Sequence, residues 1–192
     1  MTSYSGQSRI IKVVLVGSSG VGKTCLITSF LKRFHNINAT ATVSPSYYSE
    51  DIVTKDGIGV CLQIWDTAGQ ERYYAISSLF FRESEVAIVC YSKNDTTIEA
   101  TREWISKVKD ISPECKIIIA ITKSDLLDEK EINSIKISLE RLLTDRDSQR
   151  IFSTSSVDRR EVEELFYHSC EMVSLTKMGQ NSIIEKRNNK CC

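Results

Sequence analysis

The chain has 192 residues, and its Lys+Arg count of 25 balances an Asp+Glu count of 25. That length suits one domain with a tail, and the balance gives bulk electrostatics no pull toward nucleic acid. No apolar stretch approaches the length of a membrane span, and the polar start, Met1 to Gln7, lacks the apolar core of a secretory signal.

The seven cysteines are Cys25, Cys61, Cys90, Cys115, Cys170, Cys191 and Cys192. None forms a C-x-x-C pair, which argues against a zinc site. Cys61 and Cys90 fall inside apolar segments and are expected to be small buried hydrophobes. An odd set without a secretory signal points to a reducing, intracellular setting.

The first apolar run, Ile10 to Val16, reads as a strand. It feeds Gly17-Ser18-Ser19-Gly20-Val21-Gly22-Lys23-Thr24 and then a helix expected over Cys25 to Leu31. Strand, glycine-rich loop and helix in that order are the context in which spaced glycines followed by Lys-Thr make a phosphate site. The glycines let the backbone curl into a nest of N–H groups. The helix N-terminus adds partial positive charge behind them. Lys23 is expected to neutralise β- and γ-phosphates, and the Thr24 hydroxyl to ligate Mg²⁺.

Further strands are expected at Val60–Trp65, Val86–Tyr91 and Lys116–Ile121. Most are nearly continuous apolar runs, as strands covered on both faces are. Helical stripes alternate with them. Thr97–Lys109 carries Ile98, Thr101, Ile105 and Val108 on one face, with Thr96 and Glu99 spaced as a capping box. Glu131–Leu143 repeats the spacing with Ile132, Ile135, Leu139 and Leu142. Val162, Leu165, Phe166, Cys170 and Val173 form a third stripe. The alternation predicts a doubly wound α/β sheet with its ligand at the carboxyl ends of the strands. From about Lys177 the pattern stops, and Lys177, Lys186, Arg187 and Lys190 face a single acid, Glu185.

Trp65-Asp66-Thr67-Ala68-Gly69-Gln70-Glu71 ends the second strand. A carboxylate there can hold Mg²⁺ through its water shell. Gly69 lets a backbone N–H approach a γ-phosphate, and Gln70 can orient an attacking water.

With both clusters in place, the chain resembles a Ras-superfamily small GTPase, and within that superfamily a Rab. Residues 65–73, Trp-Asp-Thr-Ala-Gly-Gln-Glu-Arg-Tyr, are a close match to the Rab switch II signature. Ser78-Leu79-Phe80-Phe81-Arg82 looks like the aromatic pair and arginine that follow it. Thr122-Lys123-Ser124-Asp125 stands where the family's base-reading Asn-Lys-x-Asp lies, and Thr154-Ser155-Ser156 where Thr-Ser-Ala-Lys does. The resemblance covers residues 9–176 and the terminal cysteines.

It implies a P-loop NTPase G domain over residues 9–176, built on a six-stranded, mostly parallel sheet with about five helices. Residues 1–8 are expected to be disordered, and 177–192 a flexible tail. It also implies Mg²⁺ as cofactor, a GTP/GDP cycle with slow hydrolysis, and Gln70 as the catalytic residue. The nucleotide would meet Ser18, Ser19, Gly20, Val21, Gly22, Lys23, Thr24, Cys25, His35, Thr42, Asp66, Gly69, Thr122, Lys123, Asp125, Ser155, Ser156 and Val157. The metal would meet Thr24, Thr42 and Asp66. Thr42 lies nineteen residues after Lys23, as a switch I threonine should, with Thr40 as the alternative.

Exchange factor, GTPase-activating protein, GDP-dissociation inhibitor and effectors are the partners implied, for a monomer that does not bind nucleic acid. Cys191 and Cys192 match a geranylgeranylated Cys-Cys end. That places the protein on the cytoplasmic face of an intracellular membrane, cycling with cytosol, in vesicle trafficking. A P-loop kinase would lack Asp-Thr-Ala-Gly-Gln. A nucleotide-poor scaffold with the same fold is the alternative function.

Three positions depart from the family. Thr122 replaces an asparagine whose amide ties the base loops together. Val157 replaces a lysine whose stem covers the base, and His35 stands where a phenylalanine packs on it, with adjacent Phe34 as the alternative. Asp125 keeps the carboxylate that accepts two N–H bonds from guanine. Weaker nucleotide retention than in a typical Rab is expected.

Overall fold

A computed structural model describes residues 9–31, 42, 45–67, 79–143 and 150–188, the side chains of 150 and 174–188 excepted. Six strands form one sheet: β1 Arg9–Val16, β2 Ser46–Val53, β3 Gly59–Asp66, β4 Val86–Tyr91, β5 Lys116–Ile121 and β6 Arg150–Ser153. Their spatial order is β2-β3-β1-β4-β5-β6. Only β2 runs antiparallel, against β3, with Tyr47 opposite Trp65 and Ile52 opposite Val60. The helices are α1 Lys23–Phe30, α2 Ile98–Ile111, α3 Glu129–Glu140 and α4 Arg159–Asn188, and a short helical end at 79–81 precedes β4.

The strand alternation sends Ile11, Val13 and Leu15 to one face of the sheet and Val14 and Val16 to the other. The first face packs on α1 and α4 through Leu26, Ile27, Phe30, Val162, Leu165, Phe166, Cys170 and Val173. Phe30 and Phe166 stack there with ring centroids 4.3 Å apart. The second face packs on α2 and α3 through Trp104, Val108, Ile135 and Leu139. Burial on both faces explains the unbroken apolar runs of β4 and β5, whose bounds match the expected segments. The third stripe, from Val162 to Val173, is buried throughout.

Several local expectations need correction. α2 is capped by Thr97, whose side chain accepts from the Ala100 N–H, so Thr96 and Glu99 form no capping box. The Thr96 hydroxyl is instead 2.9 Å from that of Ser18. The capping box sits on α3, where Asp128 and Glu131 satisfy each other's backbone N–H groups. That helix starts at Glu129 and ends at Glu140, ahead of Leu142. Cys61 is not a buried hydrophobe: it is half-exposed, with its Sγ 3.3 Å from Ser49 Oγ. Cys90 is buried as expected. The apolar stripe ends before Lys177, while the backbone of α4 continues to Asn188. Among the described residues no helix is long and apolar enough to cross a membrane. Residues 1–8 and the terminal cysteines lie outside the described residues.

Candidate functional site: a phosphate loop and a base-recognition edge

β1 is the central strand from which the chain winds both ways, so the turn after Val16 opens at the carboxyl edge of the sheet. Gly17, the first residue of that turn, has φ +141°, and a Cβ there would lie 2.6 Å from the Cys90 carbonyl oxygen. Only glycine allows this approach of the loop to β4. Gly22 has a left-handed φ of 95° and starts α1 without a side-chain cap. The first N–H groups of α1 are therefore left facing the loop.

Lys23 is buried and donates from Nζ to the carbonyls of Gly17 and Ser18, both at 2.9 Å. Burial holds its pKa below the ordinary lysine value, with Asp66 and Cys90 acting the other way. A phosphate placed against this ammonium would offset that cost.

Three oxygen-bearing side chains converge beside Lys23. Thr24 Oγ1 donates to Asp66 Oδ2 at 2.6 Å and lies 2.8 Å from Thr42 Oγ1. Burial pushes the Asp66 carboxyl above its usual range, against the Thr24 hydrogen bond and the charge of Lys23. Its other oxygen, Oδ1, is buried and has no hydrogen-bond partner among the described residues. An orphaned carboxylate oxygen among hydroxyls is a donor set for a hard cation. One carboxylate and two hydroxyls cannot satisfy a six-coordinate divalent ion, so this set fits Mg²⁺ that shares its shell with water and phosphate oxygens. No cluster of three or more His, Cys, Asp or Glu able to hold a metal occurs among the described residues. Thr67, next to Asp66, is locked by its hydroxyl donating to the Leu15 carbonyl at 2.6 Å.

A second edge of the site is built from the loops after β5 and β6. Thr122 Oγ1 donates to the carbonyl of Val21 at 2.6 Å and of Tyr91 at 3.0 Å. The hydroxyl thus ties the loop after β5 to the glycine-rich loop. Lys123 adopts a left-handed φ of 55°. Its Nζ meets Asp95 Oδ2 at 2.9 Å, and Asp95 also accepts from Ser92. Asp125 accepts from the Ser155 hydroxyl at 2.6 Å. The loops are zipped by Ser124 N–H to Thr154 O at 3.2 Å and Thr154 N–H to Ile121 O at 2.7 Å. Val157 is 79% exposed.

Of the expected site residues, the structure gathers Lys23, Thr24, Thr42 and Asp66 into one corner, and Thr122, Lys123, Asp125 and Ser155 into the adjoining edge. Ser18, Ser19, Gly20, Val21, Gly22 and Cys25 lie on the loop and first helical turn between them. His35, Thr40, Gly69 and Gln70 lie outside the described residues. Sequence reasoning missed Asp95 and Thr96, which brace Lys123 and Ser18, and Glu161, which accepts from the Ser155 N–H at 2.9 Å. Asp95 and Thr96 meet partners 28 and 78 residues away, beyond any spacing rule, while Glu161 reaches back six residues to Ser155, a contact that no motif announces.

Beside this corner, Trp65 packs between Tyr47 and Phe80, with centroids 5.0 Å away on each side. Lys12 Nζ lies 5.4 Å from the Trp65 ring and donates to the Arg82 carbonyl at 2.7 Å.

Comparison with known proteins agrees with this geometry. The Ras family model matches residues 12–174. The chain is 31% identical over 91% of its length to Ras-related protein Rab-4 of Dictyostelium discoideum, spanning 83% of that protein. It is 33% identical over 93% of its length to Ras-related protein Rab-24 of the same organism, spanning 89%. It is 31% identical over 82% of its length to Ras-related protein rab-11.1 of Caenorhabditis elegans, spanning 74%. A G-domain sheet, a phosphate loop feeding Lys23 and Thr24, and relatives matched along most of their length lead to one assignment: the chain belongs to the Ras family and is a Rab-type small GTPase.

Proposed function

We propose that the protein is a membrane-trafficking switch that binds GTP and GDP with Mg²⁺, hydrolyses GTP slowly, and recruits effectors in the GTP state. The observation that carries this reading is the meeting of Thr24, Thr42 and the half-satisfied carboxylate of Asp66 beside the buried Lys23 ammonium. Thr24 and Asp66 would hold the metal in both states. Thr42 would join them only while a terminal phosphate is present, and Thr42 is favoured over Thr40 because its hydroxyl already faces that of Thr24. Bound Mg²⁺ supplies neutralisation of the charge that develops on the phosphate oxygens.

The chain's own groups have separate tasks. Lys23 holds the terminal phosphates by charge. The loop glycines open N–H groups toward them. Gln70 orients the water that attacks the γ-phosphorus as the bond to the β–γ bridging oxygen breaks. Asp125 accepts from the two N–H groups on the guanine edge, which adenine does not offer. The phosphate loop, Gly17 to Thr24, carries no arginine that could stabilise the transition state in cis, so intrinsic turnover is slow. An activating partner that donates one would accelerate it by about 10³–10⁵. When the γ-phosphate leaves, the contact of Thr42 with the site lapses and the switch segments relax. Effectors would read that change at the switches, next to the Tyr47–Trp65–Phe80 row.

Exchange factor and dissociation inhibitor complete the cycle. Two prenyl chains on Cys191 and Cys192 would anchor the basic tail to the cytoplasmic face of an intracellular membrane. Magnesium titration of Thr42→Ala and Thr40→Ala tests the assignment. The expected result is a lost Mg²⁺ requirement for GTP-analogue retention in Thr42→Ala only, with GDP retention little changed. Equal behaviour of both variants would contradict the role given to Thr42.

A further inference from the structure

Two helices of this protein begin with the same spacing of acids, Asp128 with Glu131 on α3 and Asp158 with Glu161 on α4, and use it differently. On α3 the box is closed: Glu131 N–H donates to Asp128 Oδ1 at 2.8 Å, and Asp128 N–H donates to Glu131 Oε2 at 3.1 Å. On α4 the Asp158 N–H is satisfied by the Ser155 carbonyl at 3.1 Å. Asp158 meanwhile accepts from the Arg160 N–H at 3.0 Å. The Glu161 carboxylate is thereby released from capping. Its Oε2 accepts from the Ser155 N–H at 2.9 Å and stands 3.5 Å from Ser124 Oγ.

Ser155 and Ser124 belong to the two loops that meet at the base-recognition edge, and both are buried. With its N–H held by Glu161, Ser155 points its hydroxyl at Asp125 Oδ1, 2.6 Å away. The same hydroxyl accepts from the Val157 N–H at 3.2 Å. A charged acceptor for one backbone N–H therefore fixes the rotation of the peptide whose side chain orients the base-reading carboxylate.

We propose that Glu161 is a positioning residue for nucleotide selection, presetting Ser155 and through it Asp125 for a guanine base. The inference rests on the guanine reading given above and adds a residue to it. Glu161 touches no base; it acts through Ser155. It also gives a compensation for Val157: a loop without the long stem over the base gains rigidity from below.

The test uses the full chain and labelled GDP, with inosine diphosphate as the second probe, because it lacks the exocyclic amine that Asp125 accepts. In Glu161→Ala, GDP release is expected to rise about tenfold, and the preference for GDP over IDP to fall about fivefold, as a buried N–H loses its acceptor. Glu161→Gln, whose amide oxygen still accepts from Ser155, is expected to stay within about twofold of wild type. Glu131→Ala removes the closed box on α3 and is expected to lower Tm while leaving the GDP/IDP ratio unchanged. An unmoved ratio in Glu161→Ala, or a Gln variant as impaired as the Ala variant, would overturn the positioning role while leaving the guanine reading intact. A wild type without preference for guanine over adenine nucleotides would overturn that reading, and this proposal with it.

Discussion

Thr122 Oγ1 donates to the carbonyl of Val21, 101 residues earlier in the chain, at 2.6 Å. One short hydroxyl therefore joins the loop after β5 to the glycine-rich loop, and it also reaches the Tyr91 carbonyl. Thr122→Ala removes both bonds from a fully buried position. The loss is expected to be about 1–2 kcal/mol, read as roughly five- to thirtyfold faster GDP release. Thr122→Ser keeps the hydroxyl and should retain most of the tie. Labelled-GDP dissociation from both variants checks this, and equal rates would contradict it.

Val157 stands 79% exposed on the loop after β6, at the position where the family carries a lysine. Val157→Lys meets no packing constraint and is expected to slow GDP release by about fivefold, leaving Tm within a degree or two of wild type. Combined with Thr122→Asn it tests the retention expected from sequence. Since Thr122 already makes the tie, most of the gain should come from Val157→Lys alone. A larger effect from Thr122→Asn than from Val157→Lys, in matched release assays, would contradict this division.

Asp125 is oriented by Ser155 with one oxygen engaged. Asp125→Asn replaces an acceptor by an amide that can donate. The variant should lose guanine nucleotides and favour xanthine nucleotides, which carry an oxo group where guanine has its amine. Competition between XDP and GDP for the variant measures this. Retained guanine preference would remove Asp125 from the recognition role.

Burial pushes the Cys90 thiol up to about 12, and the Cys115 and Cys170 thiols likewise to about 12, from an ordinary 9.0. These groups stay protonated in the folded chain while the unfolded chain ionises them. Their effect is neutral below pH 9, and stability falls as pH rises from 9 toward 12. At pH 8 a thiol reagent should label half-exposed Cys61 in the native protein and leave these three until the chain unfolds. Peptide mapping after brief labelling reads the pattern, and early modification of Cys90 would contradict it.

The glycine-rich loop was legible because its residues are consecutive, the glycines running straight into Lys23 and Thr24, and Asp66 was legible because it ends a strand. β4 and β5 were legible because burial on both faces makes a strand one apolar run. β2 was not, since it is an edge strand and alternates Tyr47, Ser49 and Asp51 toward one face with Ile52 on the other. Cys61 was misassigned for a related reason: β3 alternates buried and half-exposed positions along its length, which a run of mixed apolar residues conceals. The helix cap fell to Thr97 rather than Thr96 because the Thr96 hydroxyl is engaged with Ser18, a partner 78 residues away. Such pairings belong to the folded chain and leave no periodic trace.

The most direct test of the account is the fate of GTP on the purified full chain. We expect guanine nucleotide to copurify, and GTP loaded with Mg²⁺ to turn into GDP with one phosphate released per site, slowly and only while Mg²⁺ is present. An empty site that takes up no guanylate at millimolar concentration, or bound GTP that releases no phosphate over days, would contradict it.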